Sequence, residues 1–165
     1  MSDFLFNKGI EVYDPNVKSL VEFETERQAR RLIMIPSESI APKAVRELLA
    51  SPFTNIYAEG YPRPETRYQD EATIMDYALQ LGRYRRHGDG RYYKGVEYVD
   101  MLEALARRRA AELFVANDLI PDDLWVNVQP LSGAPANTAI YTALIKPGDT
   151  ILGMDLLHGG HLTHG

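Results

Sequence analysis

The sequence contains no cysteine among its 165 residues. Disulfide bonds and thiolate metal ligands are therefore excluded from this chain. It also lacks an apolar run of the roughly 20 residues that a membrane-spanning helix needs. The N-terminal stretch is too short and too polar for a signal peptide. We therefore expect a cytoplasmic protein.

An excess of positive charge is also missing. The chain has 18 lysines and arginines against 23 aspartates and glutamates, a net charge of −5. We therefore expect no nucleic-acid-binding surface and no membrane partner. Hydrophobic residues make up 45% of the chain, which suits a globular core, and this length predicts one domain.

The last 41 residues, 125–165, carry the clearest local pattern. Residues 126–129 and 150–154 are short and rich in β-branched residues, so both are predicted as strands. Residues 136–146 are predicted as a helix between them, and Pro135 suits its first turn. This order predicts an α/β fold.

The loop before this helix contains Ser132 and Gly133. The first N–H groups of a helix carry a positive partial charge, and phosphate is their usual ligand. A serine hydroxyl could add a hydrogen bond, and a glycine lets the backbone approach closely. The loop matches neither the Walker A nor the dinucleotide-binding pattern, so an ordinary turn is the alternative.

Three of the four histidines, His158, His161 and His164, fall within seven residues around Gly159 and Gly160. An imidazole in such a loop could stack on an aromatic ring, hydrogen-bond a ligand or bind a metal. Loops at the carboxyl ends of parallel strands bind ligands in open α/β sheets. A three-histidine metal site is an alternative hypothesis for this loop.

Four strings resemble the serine hydroxymethyltransferase family. They are TNIYAEGYP at 54–62, RYYKGVEYVD at 91–100, PGDTILGM at 147–154 and HGGHLTHG at 158–165. The resemblance runs from about Arg31 to Gly165 with one interruption. It implies an α/β fold, the front part of a fold type I pyridoxal-phosphate-dependent transferase with an aspartate aminotransferase-like large domain.

The resemblance also implies an activity and partners. The expected enzyme is a glycine hydroxymethyltransferase that interconverts serine and glycine, with pyridoxal 5'-phosphate as cofactor and tetrahydrofolate as one-carbon carrier. Residues 1–33 would be an arm helix that packs on a second subunit, and residues 34–165 the N-terminal part of the cofactor-binding domain. A homodimer or a dimer of dimers would share its sites between subunits.

Matching the motifs residue by residue gives the implied site. The cofactor would be bound by Tyr57, Ser132, Gly133, Ala134 and His161, and the substrate by Ser37 and Tyr93. Folate would be bound by Leu156, Gly160, His161 and Leu162, and catalysis would involve Glu59 and His161. The chain departs from the family pattern at Ser39, where an asparagine is usual, and at Ala134, which lacks a hydroxyl.

The Schiff-base lysine of the family is not matched. The five lysines are Lys8, Lys18, Lys43, Lys94 and Lys146, and none lies in the family's lysine motif. That lysine, the aspartate for the pyridine nitrogen and the arginine for the substrate carboxylate would follow Gly165. We therefore expect the front part of a longer protein, inactive alone. The alternatives are another fold type I aldolase or lyase acting on hydroxy-amino acids, and a non-enzymatic binding module.

Local signals predict three further helices. Asp14 and Pro15 suit an N-cap and first position, with a helix continuing to about Leu32. Ser37 or Ser39 is predicted as the N-cap of a helix over 42–49. Residues 96–114 have the strongest helical pattern, with a stripe of Val99, Leu102, Ala106, Ala110 and Leu113.

Residues 63–90 interrupt the resemblance, because typical family members join the two tyrosine-rich strings by only a few residues. Ile74, Tyr77, Ala78 and Leu81 predict one amphipathic helix here. A basic group follows it, formed by Arg83, Arg85, Arg86, His87 and Arg91. We predict an inserted surface helix with a solvated basic end. Contact with a folate tail or a second subunit is the alternative.

Overall fold

The structure, a computed structural model, describes residues 8–163. Its α-helices are α1 (Ile10–Tyr13), α2 (Pro15–Arg30), α3 (Lys43–Leu49), α4 (Glu71–Ile74), α5 (Tyr77–His87), α6 (Glu97–Phe114) and α7 (Gly133–Leu144). Short 3-10 helices lie at Pro52–Asn55, Pro64–Tyr68, Pro121–Asp123 and Leu156–His158. The chain divides into two compact units, Met1–Ser51 and Pro52–Gly165.

Helix α2 confirms the N-terminal helix. The Asp14 carboxylate accepts hydrogen bonds from the N–H groups of Asn16 and Val17, at 3.1 and 3.0 Å. Pro15 occupies the first turn, where its missing N–H removes no helical hydrogen bond. The helix ends at Arg30, close to the predicted end.

The predicted serine cap of α3 is wrong. Pro42 occupies the N-cap position and makes no side-chain capping bond. Ser37 lies instead in a turn that the Glu38 N–H closes on the Ile35 carbonyl, at 3.0 Å. The prediction fails because a serine caps a helix only from the adjacent position, and five residues without regular secondary structure, 38–42, separate Ser37 from α3.

The core of the second unit lies along α6. This helix begins at Glu97 and ends at Phe114, as the sequence predicts. Its buried face consists of Met101, Glu103, Ala104 and Ala111. The predicted stripe is not this face, and Leu113 within it is 77% exposed. The error arises because α6 has apolar residues on several faces, and the neighbouring elements select the buried one.

Segment 63–90 forms two α-helices rather than one, and the 3-10 helix Pro64–Tyr68 precedes them. The break falls at Met75 and Asp76, and the Asp76 carboxylate caps α5 by accepting the Leu79 N–H at 2.9 Å. Ile74 is 1% exposed in the core beside α6, so the prediction of a surface segment is wrong there. The expectation of a solvated basic end holds for Arg85, Arg86 and His87, which are exposed.

The two predicted strands are not confirmed. Residues 126–129 and 150–154 carry no strand, and no strand occurs anywhere in residues 8–163. A strand is defined by hydrogen bonds to a neighbouring strand, and these two segments do not pair with each other. Helix α7 starts three residues earlier than predicted, with Pro135 in its first turn, and it has no buried residue. No helix in the described range is both long and apolar enough to cross a bilayer.

Candidate functional site

The two tyrosine-rich strings lie against each other in the second unit. The backbone N–H of Tyr92 donates to the carbonyl of Glu59 at 3.1 Å. The rings of Tyr57 and Tyr93 have centroids 5.4 Å apart and planes tilted by 42°, a favourable aromatic geometry. Three residues of the predicted site, Tyr57, Glu59 and Tyr93, are therefore close together although the sequence separates them by up to 36 positions.

Arg91 fixes the backbone on both sides of Glu59. Its Nη1 donates to the carbonyls of Ala58 and Gly60, at 2.6 and 3.0 Å. Its side chain is 1% exposed. The sequence-based assignment of Arg91 to a solvated basic group is therefore wrong, because carbonyls far back in the chain supply the partners of this guanidinium.

Two carboxylates of α6 balance the buried guanidinium. Arg91 Nε donates to Asp100 Oδ1 at 2.5 Å, and Nη2 donates to Glu103 Oε2 at 2.6 Å. Because Asp100 and Glu103 are three residues apart, they lie on one face of the helix. We call Arg91, Asp100, Glu103 and Gln129 the Arg91 cluster. It joins α6 to the loop that carries Glu59.

Gln129 extends the Arg91 cluster toward the serine loop. Its Nε2 donates to the Gly60 carbonyl at 2.8 Å and to the Glu103 carboxylate at 3.0 and 3.1 Å. Gln129 precedes Ser132 by three residues. The backbone beside Glu59 and the entry to the serine loop thus share one hydrogen-bonded side chain.

Burial changes the protonation of Asp100. Desolvation raises the pKa of its carboxyl from 3.8 to about 6, against the opposing effect of the Arg91 hydrogen bond. Repulsion from the nearby Asp89 charge contributes to the same increase in the pKa. Asp89 is held nearby because its carboxylate accepts the backbone N–H of Arg91 at 2.9 Å.

A glycine is required at position 60 both by its backbone conformation and by the small space between this loop and Arg91. Its φ of +105° lies in the left-handed region, which side-chain-bearing residues rarely adopt. A Cβ at this position would also lie 3.1 Å from the Arg91 Cα. The loop therefore approaches Arg91 closely only because residue 60 is a glycine.

The serine loop leads into the N-terminus of α7. Ser132 occupies the N-cap position in extended conformation, and its side chain makes no capping bond. A Cβ on Gly133 would meet no atom within 4 Å, so the approach to the helix end is open. The first N–H groups of a helix have no partner within it. The donors of Gly133 and Ala134 therefore fit a phosphate group, and the Ser132 hydroxyl can join them.

The histidine loop is a compact turn built on Asp155. The Asp155 carboxylate accepts the Leu157 N–H at 2.8 Å, and its carbonyl accepts the Gly160 N–H at 2.9 Å. Gly159 has a φ of +101°, and a Cβ on Gly160 would overlap the Met154 carbonyl. Both glycines are therefore needed for this turn.

His161 follows the turn and is exposed. Its Nδ1 accepts the Thr163 N–H at 3.2 Å. Leu156 and Leu162, predicted to border folate, are 56% and 83% exposed. Thr163 lines one open groove together with residues of α7 from its first turn to its last.

A metal centre is not formed by the described residues. Within residues 8–163, no three histidine or carboxylate side chains are placed to hold an ion. His158 Nδ1 lies 3.4 Å from the Asp155 carboxylate instead. His164, the third member of the alternative hypothesis, lies outside the described residues.

Ser37 belongs to the unit Met1–Ser51, whereas the other predicted site residues belong to the unit Pro52–Gly165. Sequence reasoning missed the supporting residues of the second unit: Asp100, Glu103 and Gln129. The sequence carried no clear signal for Asp100 and Glu103, because Arg107 lies on the same helix face and a solvated charged face is the usual reading of such a pattern.

Comparison with known proteins identifies the family. A profile described as serine hydroxymethyltransferase matches residues 10–89 and 87–165. The chain is 47% identical over 157 residues to a serine hydroxymethyltransferase of a Sulfurovum species, covering 95% of the chain and 30% of the relative. It is 45% identical over 165 residues to that of Kocuria rhizophila, covering 100% of the chain and 31% of the relative. The chain is also 45% identical over 160 residues to the serine hydroxymethyltransferase of Bifidobacterium longum subsp. infantis, covering 97% of the chain and 29% of the relative.

The chain therefore spans about 30% of the length of these relatives. The Kocuria rhizophila match covers the whole chain, so its span includes segment 63–90. The profile match extends over most of the chain, and the four motif strings lie within it. The chain belongs to the serine hydroxymethyltransferase family.

Proposed function

We propose that the complete protein is a glycine hydroxymethyltransferase, which interconverts serine and glycine and passes the one-carbon unit to tetrahydrofolate. Family membership supports the reaction. The observation that supports the proposal in this chain is the Arg91 cluster, which holds the backbone on both sides of Glu59 near the contacting rings of Tyr57 and Tyr93. The chain would be the front part of the large domain of a fold type I transferase.

The proposed cofactor is pyridoxal 5'-phosphate, which when bound supplies an electron sink for the amino-acid carbon. The Ser132 hydroxyl and the N–H groups of Gly133 and Ala134 would bind its phosphate. The His161 ring would lie against the pyridine ring, and the exposed face of this imidazole supports that role.

The proposed substrate contacts are Tyr93 and Ser37, with Ser37 on the substrate carboxylate. Glu59 would hold or transfer the proton at the serine hydroxyl. Its exposed carboxylate and firmly held backbone support this role, because a general acid or base needs a fixed position and access to its substrate. Leu156, Gly160 and Leu162 would border the folate.

We also propose a cytoplasmic homodimer, or a dimer of such dimers, in which Tyr57 reaches the partner's site. The exposed apolar residues of α2, including Leu20 and Phe23 at 63% and 66%, support its role as an arm on a second subunit. An aldolase or lyase acting on hydroxy-amino acids, the alternative that the sequence left open, is not favoured by the family membership of the chain.

One experiment distinguishes these functions. The complete protein is incubated with cofactor and serine, and glycine formation is measured with and without tetrahydrofolate. We expect glycine formation from serine to require tetrahydrofolate. Equal rates with and without tetrahydrofolate would contradict the transferase and favour an aldolase.

A further inference from the structure

Segment 63–90 ends close to where it begins. A Cβ on Gly90 would lie 3.5 Å from the carbonyl oxygen of Tyr61 and 3.9 Å from the side chain of Arg63. The segment is therefore not needed to bridge a distance between the two tyrosine-rich strings. Its contribution has to be sought in what its own residues contact.

The segment holds both ends of the loop 91–95. At the first residue, Asp89 Oδ1 accepts the Arg91 N–H at 2.9 Å. At the last residue, the Tyr84 hydroxyl accepts the Gly95 N–H at 2.7 Å. The ammonium of Lys94 also donates to the Asp89 carbonyl at 2.9 Å. Two residues of the segment thus accept the first and last backbone N–H groups of one loop.

The middle of this loop contacts the candidate site. Tyr92 donates its N–H to the Glu59 carbonyl, and the Tyr93 ring packs on Tyr57. Gly95 has a φ of +83°, so the loop leaves through a residue with wide conformational freedom. A hydrogen bond at Gly95 therefore restricts the part of the loop that would otherwise vary most.

We propose that Tyr84 and Asp89 are positioning residues for the proposed reaction, acting through the backbone of loop 91–95 on Tyr93. The expected effect on the reaction rests on the proposed function, whereas the hydrogen bonds of Tyr84 and Asp89 to the loop are independent of it. Segment 63–90 packs on α6 through Ile74, the last residue of α4. Helix α5, which carries Tyr84, follows α4 after two residues, so this packing also fixes the position of Tyr84. The segment thereby serves the site without contributing a residue that touches the substrate.

The first test measures amide hydrogen exchange in the complete protein without substrate. Tyr84→Phe removes only the accepting oxygen, and we expect the Gly95 amide to exchange about 3- to 10-fold faster. Tyr77→Phe is the matched control, since Tyr77 lies on the same helix and is 54% exposed. The amides of α6 report whether the variant is folded. Unchanged exchange at Gly95 in folded Tyr84→Phe would overturn the inference.

Asp89 is tested with a matched pair of variants. Asp89→Asn keeps an acceptor oxygen for the Arg91 N–H, whereas Asp89→Ala removes it. We expect faster exchange of the Arg91 amide in Asp89→Ala than in Asp89→Asn. Equal exchange in the two variants would contradict the role of this carboxylate as an acceptor.

The second test follows the consequence for substrate. In Tyr84→Phe we expect the KM for serine to rise about 3- to 10-fold, with cofactor affinity unchanged, because Tyr93 is displaced and the serine loop is not. Faster Gly95 exchange with an unchanged KM would overturn the positioning role. If the unaltered protein transfers no one-carbon unit, the proposed function fails, and the exchange comparison still decides whether Tyr84 and Asp89 hold the loop.

Discussion

Nη2 of Arg91 lies 2.6 Å from Oε2 of Glu103, and the two side chains are 1% and 9% exposed. This buried ion pair also binds the backbone on both sides of Glu59, because Arg91 donates to the carbonyls of Ala58 and Gly60. A lysine has no planar fork of donors and could not reproduce these contacts together. The pair therefore connects the stability of α6 to the geometry of the candidate catalytic loop.

Replacing Arg91 is expected to destabilise the protein strongly. Arg91→Ala leaves Glu103 and Asp100 buried without a cation, and breaking such pairs lowers the free energy of unfolding by about 3–5 kcal/mol. Urea unfolding of the complete protein, followed by circular dichroism, measures the change. Arg85→Ala is the control, because this exposed arginine of the same basic group should change stability by at most about 0.5 kcal/mol. Equal effects of the two substitutions would contradict the assignment of Arg91 to the core.

Asp100 is expected to make stability depend on pH. Its folded-state pKa of about 6 lies above its ordinary value of 3.8, so the folded state binds the proton more tightly. The free energy of unfolding should therefore increase, through this group, as the pH falls from about 7 toward 4. In Asp100→Asn this component should disappear. Urea unfolding at several pH values measures it, and identical pH dependence in the variant would contradict the raised pKa.

Asp89 provides a second check on the same pKa. Its negative charge contributes to raising the pKa of Asp100. Asp89→Asn removes the charge and is expected to lower that pKa toward 3.8. Carboxyl carbon chemical shifts, followed by NMR during a pH titration, report the value directly. A pKa that stays near 6 in this variant would contradict a contribution from the Asp89 charge.

His161 is expected to determine cofactor affinity. His161→Ala removes the ring proposed to lie against the pyridine, so we expect weaker binding of pyridoxal phosphate and an altered absorption spectrum. His158→Ala is the matched control, because His158 belongs to the same loop but lies near Asp155. Titration of cofactor-free protein measures both effects. An unchanged affinity and spectrum in His161→Ala would refute the stacking role.

Glu59 is expected to be needed for proton transfer but not for binding. Glu59→Gln keeps the shape of the side chain, so cofactor and glycine should still bind. Hydroxymethyl transfer should fall by about 10²–10⁴-fold, the usual contribution of a general acid or base. Glu65→Gln is the control, since this nearby exposed carboxylate pairs with Arg63. Full transfer activity in Glu59→Gln would exclude the role.

The shared-site proposal is tested by mixing subunits. Glu59→Gln chains are combined with chains that lack the cofactor-binding lysine. If Glu59 serves the partner's site, the heterodimer has one intact site and one doubly altered site, so some activity should return. The absence of any recovery in verified heterodimers would contradict sites shared between subunits.

Local sequence signals determined most of the helices. Asp14 and Pro15 set the start of α2 because a cap and a first-turn proline act within a few residues. The four motif strings indicated the family, because a long string of residues in a fixed order can be recognised without knowledge of the fold. The strings also identified Tyr57, Glu59 and Tyr93, which the structure brings together.

Only the tertiary structure decided which residues support the site. The partners of Arg91 at Ala58 and Gly60 lie 33 and 31 positions earlier in the chain, so no local pattern could separate this arginine from its exposed neighbours. The buried face of α6 likewise depends on Ile74 in a distant helix. Strand formation at 126–129 and 150–154 depends on neighbouring strands in the same way, because β-sheet hydrogen bonds join residues from different segments of a chain.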